Sequence, residues 1–306
     1  MSKPMVAITT SSFGNGGDAP FDMLRKRGID FRLNPHGRTL EADELIEMLV
    51  GCQGVVAGTE IYDKKVLSQV KGLKIISRCG VGVDAVDVEE CRRLGIKVTT
   101  TPDGPVYAVA ELVMAFVLDL LRHVTFMHED MRKGIWKKYM GRLLRGKTMG
   151  ILGFGRIGRA VAELSKALGA RVVFYDPLVS SNEEGCQRLK LKDFWPEIDI
   201  LTIHMPFSEE NKNFVGAQQM ALMRKEAVVV NCSRGGILDE AALKVALDEE
   251  KLAAAALDVY DKEPYQGILR SHPKVLLTPH IGSYAKEARF QMECDAVTNL
   301  IAGLNL

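Results

Sequence analysis

Residues 148–177 read TMGILGFGRIGRAVAELSKALGARVVFYDP, and the fold follows from how that stretch divides. Positions 149–152 are a short apolar run, and Gly153-Phe154-Gly155-Arg156-Ile157-Gly158 follows at once. Ala160, Val161, Leu164, Ala167 and Leu168 then recur at helical spacing, and 172–175 is a β-branched and aromatic run ending at Asp176. The order is strand, tight glycine turn, helix, strand, acid. In such a unit Gly153 permits the turn, Gly155 lets a pyrophosphate approach the backbone, and Gly158 lets helix pack closely on strand. The free N–H groups of the helix start then face the phosphates. A carboxylate at Asp176 accepts hydrogen bonds from a ribose diol and repels a 2′-phosphate, so the expected cofactor is NAD.

Around this stretch, strands alternate with helices of about ten residues, as in doubly wound parallel sheets. Strands are expected at 5–10, 54–57, 73–77 and 96–101, and again at 200–203, 227–230, 253–258 and 275–277. Helices are expected between them and over 106–123, 126–133 and 285–304. Pro102-Asp103-Gly104-Pro105 breaks the alternation and reads as a hinge. The expectation is an α/β chain of two Rossmann-like domains. The glycine fingerprint lies only in the second sheet, so an NAD-binding domain is expected at 102–283 and a flavodoxin-like substrate domain at 1–101, which the segment 284–306, beyond the last strand, is placed to return to and complete. A ligand belongs outside the carboxyl ends of the strands.

Composition narrows the class. The 306 residues are 47% hydrophobic and 26% charged, ordinary for a globular protein, with a formal net charge of +1 that offers nucleic acid no electrostatic footprint. The apolar helix at 109–121 is interrupted by Glu111 and Asp119 and is too short for a bilayer. The six cysteines show no zinc or redox spacing, so no metal is expected. With no signal peptide at MSKPMVAITT, the expected setting is the reducing cytoplasm.

Three strand exits in the dinucleotide half carry reactive side chains: Arg234 after 227–230, Glu263 after 253–258, and His280 after 275–277. A lone arginine, acid or histidine there is ordinary surface chemistry. Together they suit hydride transfer between nicotinamide and C2 of a 2-hydroxy acid. The histidine moves the alkoxide proton, the carboxylate favours its charged form, and the guanidinium forks onto the substrate carboxylate.

The chain here resembles the D-isomer-specific 2-hydroxyacid dehydrogenases, in their phosphoglycerate dehydrogenase-like branch. The runs that carry the resemblance are RCGVGVDAVDV (78–88), TPDGPVYAVAELVMAFVLDLLR (101–122), GKTMGILGFGRIGRAVA (146–162), YDP (175–177), HMP (204–206), VNCSRGGILDEAAL (230–243), ALDVYDKEP (256–264) and TPHIGS (278–283). The resemblance implies that Arg234 orients substrate, Glu263 partners the histidine and His280 donates the proton. It implies cofactor contacts at Arg156, Ile157, Asp176, His204 and Cys232, with Asp258 on the nicotinamide carboxamide, and a substrate-carboxylate grip at Val81 and Gly82. It implies a homodimer built partly by the helix at 106–122.

Departures bear on the substrate. Phosphoglycerate-using members place a basic residue in the loop that here reads Ala57-Gly58-Thr59-Glu60, which weakens a phosphorylated substrate; Arg38 reads as a surface cation. The stop at Leu306 gives the expectation that serine feedback through a C-terminal regulatory domain is absent. Transcriptional corepressors that share the fold and keep all three positions are the alternative class, with NAD(H) sensing in place of turnover. Formate dehydrogenases, which pair the histidine with glutamine, fit Glu263 poorly.

Overall fold

The computed structural model describes residues 3–183 and 185–306, which divide into two compact units. The first comprises Met1–Pro105 with Ser283–Leu306, the second Val106–Gly282.

The first unit is built on five strands, β1 (Met5–Ile8), β2 (Asp30–Leu33), β3 (Gly54–Ala57), β4 (Ile75–Arg78) and β5 (Lys97–Thr99). They are parallel throughout, in the order β2-β1-β3-β4-β5, the flavodoxin-like arrangement. Alternation sends successive side chains to opposite faces, and both faces are covered. Val6 and Ile8 pack with Leu24 and with Met292, Ala296, Val297 and Leu300 of the last helix, Lys286–Gly303. Ala7 and Val55 pack on the other side with Leu45 and Leu49 of helix Ala42–Leu49 and with Val66 and Leu67 of helix Lys64–Gln69.

The second unit carries seven parallel strands: β6 (Thr148–Leu152), β7 (Arg171–Tyr175), β8 (Gln187–Arg188), β9 (Ile200–Ile203), β10 (Ala227–Asn231), β11 (Leu252–Leu257) and β12 (Val275–Leu277). Their order, β12-β11-β10-β9-β6-β7-β8, has the reversal of a dinucleotide fold between β6 and β9. Met149, Ile151, Val228 and Val230 face helices Val106–Arg122 and Arg156–Ala167. Leu152, Ala227 and Val229 face the opposite layer, which includes helices Ala217–Leu222 and Glu240–Asp248. The near-continuous apolar runs of β6 and β10 are what a strand buried on both faces requires.

Two strands correct the sequence reading, β2 and β8. Both lie at sheet edges, and their residues, DFRL and QR, carry little of the apolar pattern that marks the inner strands.

Candidate active site

The glycine turn between β6 and helix Arg156–Ala167 is shaped by close backbone approaches. Gly153 has φ +94°, a left-handed conformation that disfavours a side chain, and it lies against the main chain of His204 at the exit of β9. A Cβ on Gly158 would come within 2.3 Å of the Gly153 carbonyl oxygen, so the helix reaches the strand only because that Cβ is missing. Gly155 is different: it is exposed at the helix start, with nothing within 4 Å of where its Cβ would lie. Open space over a helix N-terminus, beside exposed Arg156 and half-buried Ile157, fits a pyrophosphate.

Asp176 closes this cradle. Its Oδ2 accepts from the Phe154 N–H of the glycine turn at 2.7 Å, and its Oδ1 accepts from Leu178 N–H at 2.8 Å. Phe154 stacks on Phe174 at 3.8 Å, so the turn and the acid share one rigid support. His204 sits beside them. Its Nε2 pairs with Thr202 Oγ1 at 2.7 Å, whereas its buried Nδ1 has no partner among the described residues. Burial pushes its pKa down to about 3, so the imidazole is neutral across the physiological range. Cys232 is buried, and desolvation, with Asp258 adding to it, keeps its thiol protonated. The donors and the open floor of this cradle fit a dinucleotide.

Arg234, Glu263 and His280 are positioned by three loops. His280 Nδ1 lies 2.9 Å from Glu263 Oε2. A carboxylate only accepts, so this bond puts a proton on Nδ1 and leaves Nε2 for a ligand. The other Glu263 oxygen accepts from Tyr260 N–H at 3.3 Å. His280 itself has φ +55°, unusual for a non-glycine residue, and Asp258 holds the segment around it. Asp258 Oδ1 accepts from Thr278 Oγ1 at 2.5 Å and Ile281 N–H at 2.7 Å; its Oδ2 accepts from Gly282 N–H at 2.7 Å. Burial pushes the Asp258 carboxyl up, and these donors oppose that shift. Asp258 therefore clamps the histidine loop, in addition to the cofactor role that the resemblance implies.

Arg234 follows β10 in a turn stitched by Asn231. Asn231 Nδ2 donates to Arg234 O at 2.9 Å, and its Oδ1 accepts from both the N–H and the hydroxyl of Ser233. At Gly235 this turn meets the loop after β11 so closely that a Cβ would lie 1.8 Å from the Tyr260 carbonyl oxygen. Gly236 N–H also donates to Asp261 Oδ1 at 2.7 Å. Tyr260 hydroxyl reaches the carbonyls of Leu257 (2.9 Å) and Thr278 (2.8 Å). Asn231, Tyr260 and Asp261 thus organise the three loops, and the sequence reading missed them. An asparagine ending a strand was a signal for the first; the others show themselves only in the tertiary approach.

The remaining candidates lie in the first unit. Val81 is exposed and Gly82 half-buried in the loop after β4, which is pinned one residue earlier, where Gly80 N–H donates to Thr101 Oγ1 at 2.9 Å. Glu60 turns inward, 2% exposed, and its Oε2 accepts from Thr9 Oγ1 (2.8 Å) and Gly58 N–H (2.9 Å). Arg38 forks onto Glu44 at 2.7 and 2.9 Å on the surface. Among the described residues, no group of three histidine, cysteine or acidic side chains is arranged to hold a metal ion. No described helix is long and apolar enough to cross a membrane.

Residues 114–282 match the family described as D-isomer specific 2-hydroxyacid dehydrogenase, NAD binding domain. The chain is 40% identical over 259 residues to a D-3-phosphoglycerate dehydrogenase of Pongo abelii, covering 82% of this chain and 49% of the relative. A D-3-phosphoglycerate dehydrogenase of Archaeoglobus fulgidus is 36% identical over 294 residues, or 92% of this chain and 55% of the relative. The chain thus spans about half the length of the curated relatives it matches. The crystal structure of the TT0316 protein from Thermus thermophilus superposes with a TM-score of 0.91 at 34% identity, covering 98% of this chain and 97% of that one. With its cradle, its parallel sheets and these likenesses, the chain belongs to the D-isomer specific 2-hydroxyacid dehydrogenase family.

Proposed function

We propose that the protein is an NAD-dependent dehydrogenase that interconverts a D-2-hydroxy acid and its 2-oxo acid. The observation that carries this reading is the 2.9 Å bond between His280 Nδ1 and Glu263 Oε2, in the same unit as the dinucleotide cradle. NAD, when bound, supplies or accepts the hydride. His280 Nε2 gives a proton to the carbonyl oxygen on reduction and takes it back on oxidation, while Glu263 accepts from Nδ1 and orients the ring. Arg234 forks onto the substrate carboxylate and polarises the neighbouring carbonyl. Within the first unit, the backbone at Val81 and Gly82 is the proposed substrate-binding segment. Asp176, the glycine turn, His204 and Cys232 line the cofactor, and Asp258 orients both the carboxamide and the histidine loop.

The relatives' name makes phosphoglycerate one candidate substrate. The inward Glu60, where a basic residue is expected for a phosphate, favours a 2-hydroxy acid without one. Exposed apolar side chains at Leu118, Phe126, Met131, Trp136, Met140 and Leu143 support a homodimer through the cofactor domain. All six cysteines are free and five are buried, in keeping with a reducing, cytoplasmic setting.

The test is NADH consumption with a panel of 2-oxo acids: hydroxypyruvate, glyoxylate, pyruvate and phosphohydroxypyruvate. At least one should be reduced, and His280→Ala should lower kcat by roughly 10²–10⁴-fold. Undiminished turnover in that variant would remove His280 from the chemistry. Tight NADH binding with no turnover of any acid would favour a sensing role.

A further inference from the structure

The last helix, Lys286–Gly303, carries a buried charge pair that the chemistry above does not use. Arg289 Nη2 lies 3.1 Å from Glu293 Oε1, and the two residues are 7% and 0% exposed. Each also reaches the segment after β1. Glu293 Oε2 accepts from Gly14 N–H at 2.9 Å, and Arg289 Nη2 approaches Thr10 Oγ1 at 3.4 Å. A Cβ on Gly16 would lie 3.0 Å from the main chain of Phe290, so the loop rests directly on the helix.

That loop, SSFGNGG at 11–17, occupies a particular place in the fold. In the order β2-β1-β3-β4-β5 the strands all run parallel but the direction in which they are added reverses between β1 and β3, and ligands of such sheets bind outside the carboxyl ends at that switch point. The loop leaves β1 there, and Thr9 joins it to the exit of β3 through Glu60. Its own hydrogen bonds are short turns, Asn15 N–H to Ser12 O and Gly17 N–H to Gly14 O, both 3.1 Å. Three glycines with so little internal bonding make a loop whose ordering would count against any ligand it touches. A buried ion pair is in general no more stabilising than apolar side chains of equal volume, so its presence calls for another reason.

We propose that Arg289 and Glu293 are positioning residues that fasten loop 11–17 at the carboxyl edge of the first sheet and thereby set affinity for the 2-oxo acid, not the rate of the chemical step. The inference rests on the dehydrogenase reading, and two variants of the full chain separate it from a purely structural role. In Glu293→Gln the amide oxygen still accepts from Gly14 N–H, but Arg289 loses its charged partner. Tm should fall while KM for hydroxypyruvate stays near wild type. In the double variant Arg289→Met/Glu293→Leu no buried charge is stranded, but the tether is gone. Tm should recover, amide exchange over 11–17 should accelerate, and KM for hydroxypyruvate should rise about tenfold, with kcat and KM for NADH within about twofold. A purely structural pair would move Tm and KM together. An unchanged KM in the double variant of an active enzyme would overturn the inference, whereas a wild-type chain inactive on every acid would overturn the dehydrogenase reading instead.

Discussion

His280 and His204 show how differently one side chain is used within a single sheet. His280 stands at the end of β12, bonded to a carboxylate, in a left-handed conformation that its neighbours must enforce. His204, at the end of β9, is half-buried with its ring Nδ1 out of solvent and no charged partner, and it stays neutral. That neutrality has a cost at low pH. Its pKa is about 3 in the folded protein against 6.5 for an unperturbed histidine, so the unfolded chain takes up the proton first as pH falls. Stability is therefore lost from about pH 6.5 down towards pH 3, at up to about 1.4 kcal/mol per pH unit for this one group. His204→Asn should remove that component. Urea midpoints at pH 7 and pH 5 should differ less in the variant than in the wild type, and equal differences would contradict the assignment. The residues that bear charge at strand exits were legible in the sequence because position and chemistry coincide at Arg234, Glu263 and His280. Tyr260 was not, because a loop tyrosine has no spacing that marks it, and Asn231 offered only the weaker signal of an amide ending a strand.

At the scale of elements, the inner strands and the edge strands β5 and β12 announced themselves, whereas the edge strands β2 and β8 did not. β6 and β10 are apolar on both faces, so a continuous hydrophobic run reveals them. β2, with DFRL, and β8, with QR, expose most of their side chains and are strands only because a neighbour supplies the ladder. The glycine turn was legible as a motif. The contact between the Arg234 turn and the loop after β11 was not, since only the folded backbone shows Gly235 against Tyr260. Gly235→Ala must push those two chains apart and carry Arg234 with them. Its kcat/KM should fall by about 10²-fold through the displacement of Arg234, while the glycine turn at the exit of β6 stays intact. Wild-type kinetics in a folded Gly235→Ala protein would show that the close approach does not position Arg234.

For the whole molecule, the feature without an intramolecular explanation is the apolar surface of the second unit. Trp136 is 80% exposed and Met140 94%, in a stretch without regular secondary structure that follows helix Val124–Arg132. Large apolar side chains in such a cluster mark an interaction surface, and a second copy of the chain is the proposed occupant. Light scattering should give twice the chain mass for the wild type, and Trp136→Glu/Met140→Glu should shift it to the monomer; a monomeric wild type would contradict the dimer. The central claim, however, is the reaction. It is tested most directly by following deuterium from NADH carrying two deuterium atoms at C4 into the product made from hydroxypyruvate and the other 2-oxo acids. The account predicts one deuterium at C2 of a D-2-hydroxy acid, with the transfer slowed by roughly 10²–10⁴-fold in His280→Ala. Product with no deuterium at C2, an L-2-hydroxy acid, or transfer that survives unchanged in that variant would contradict it.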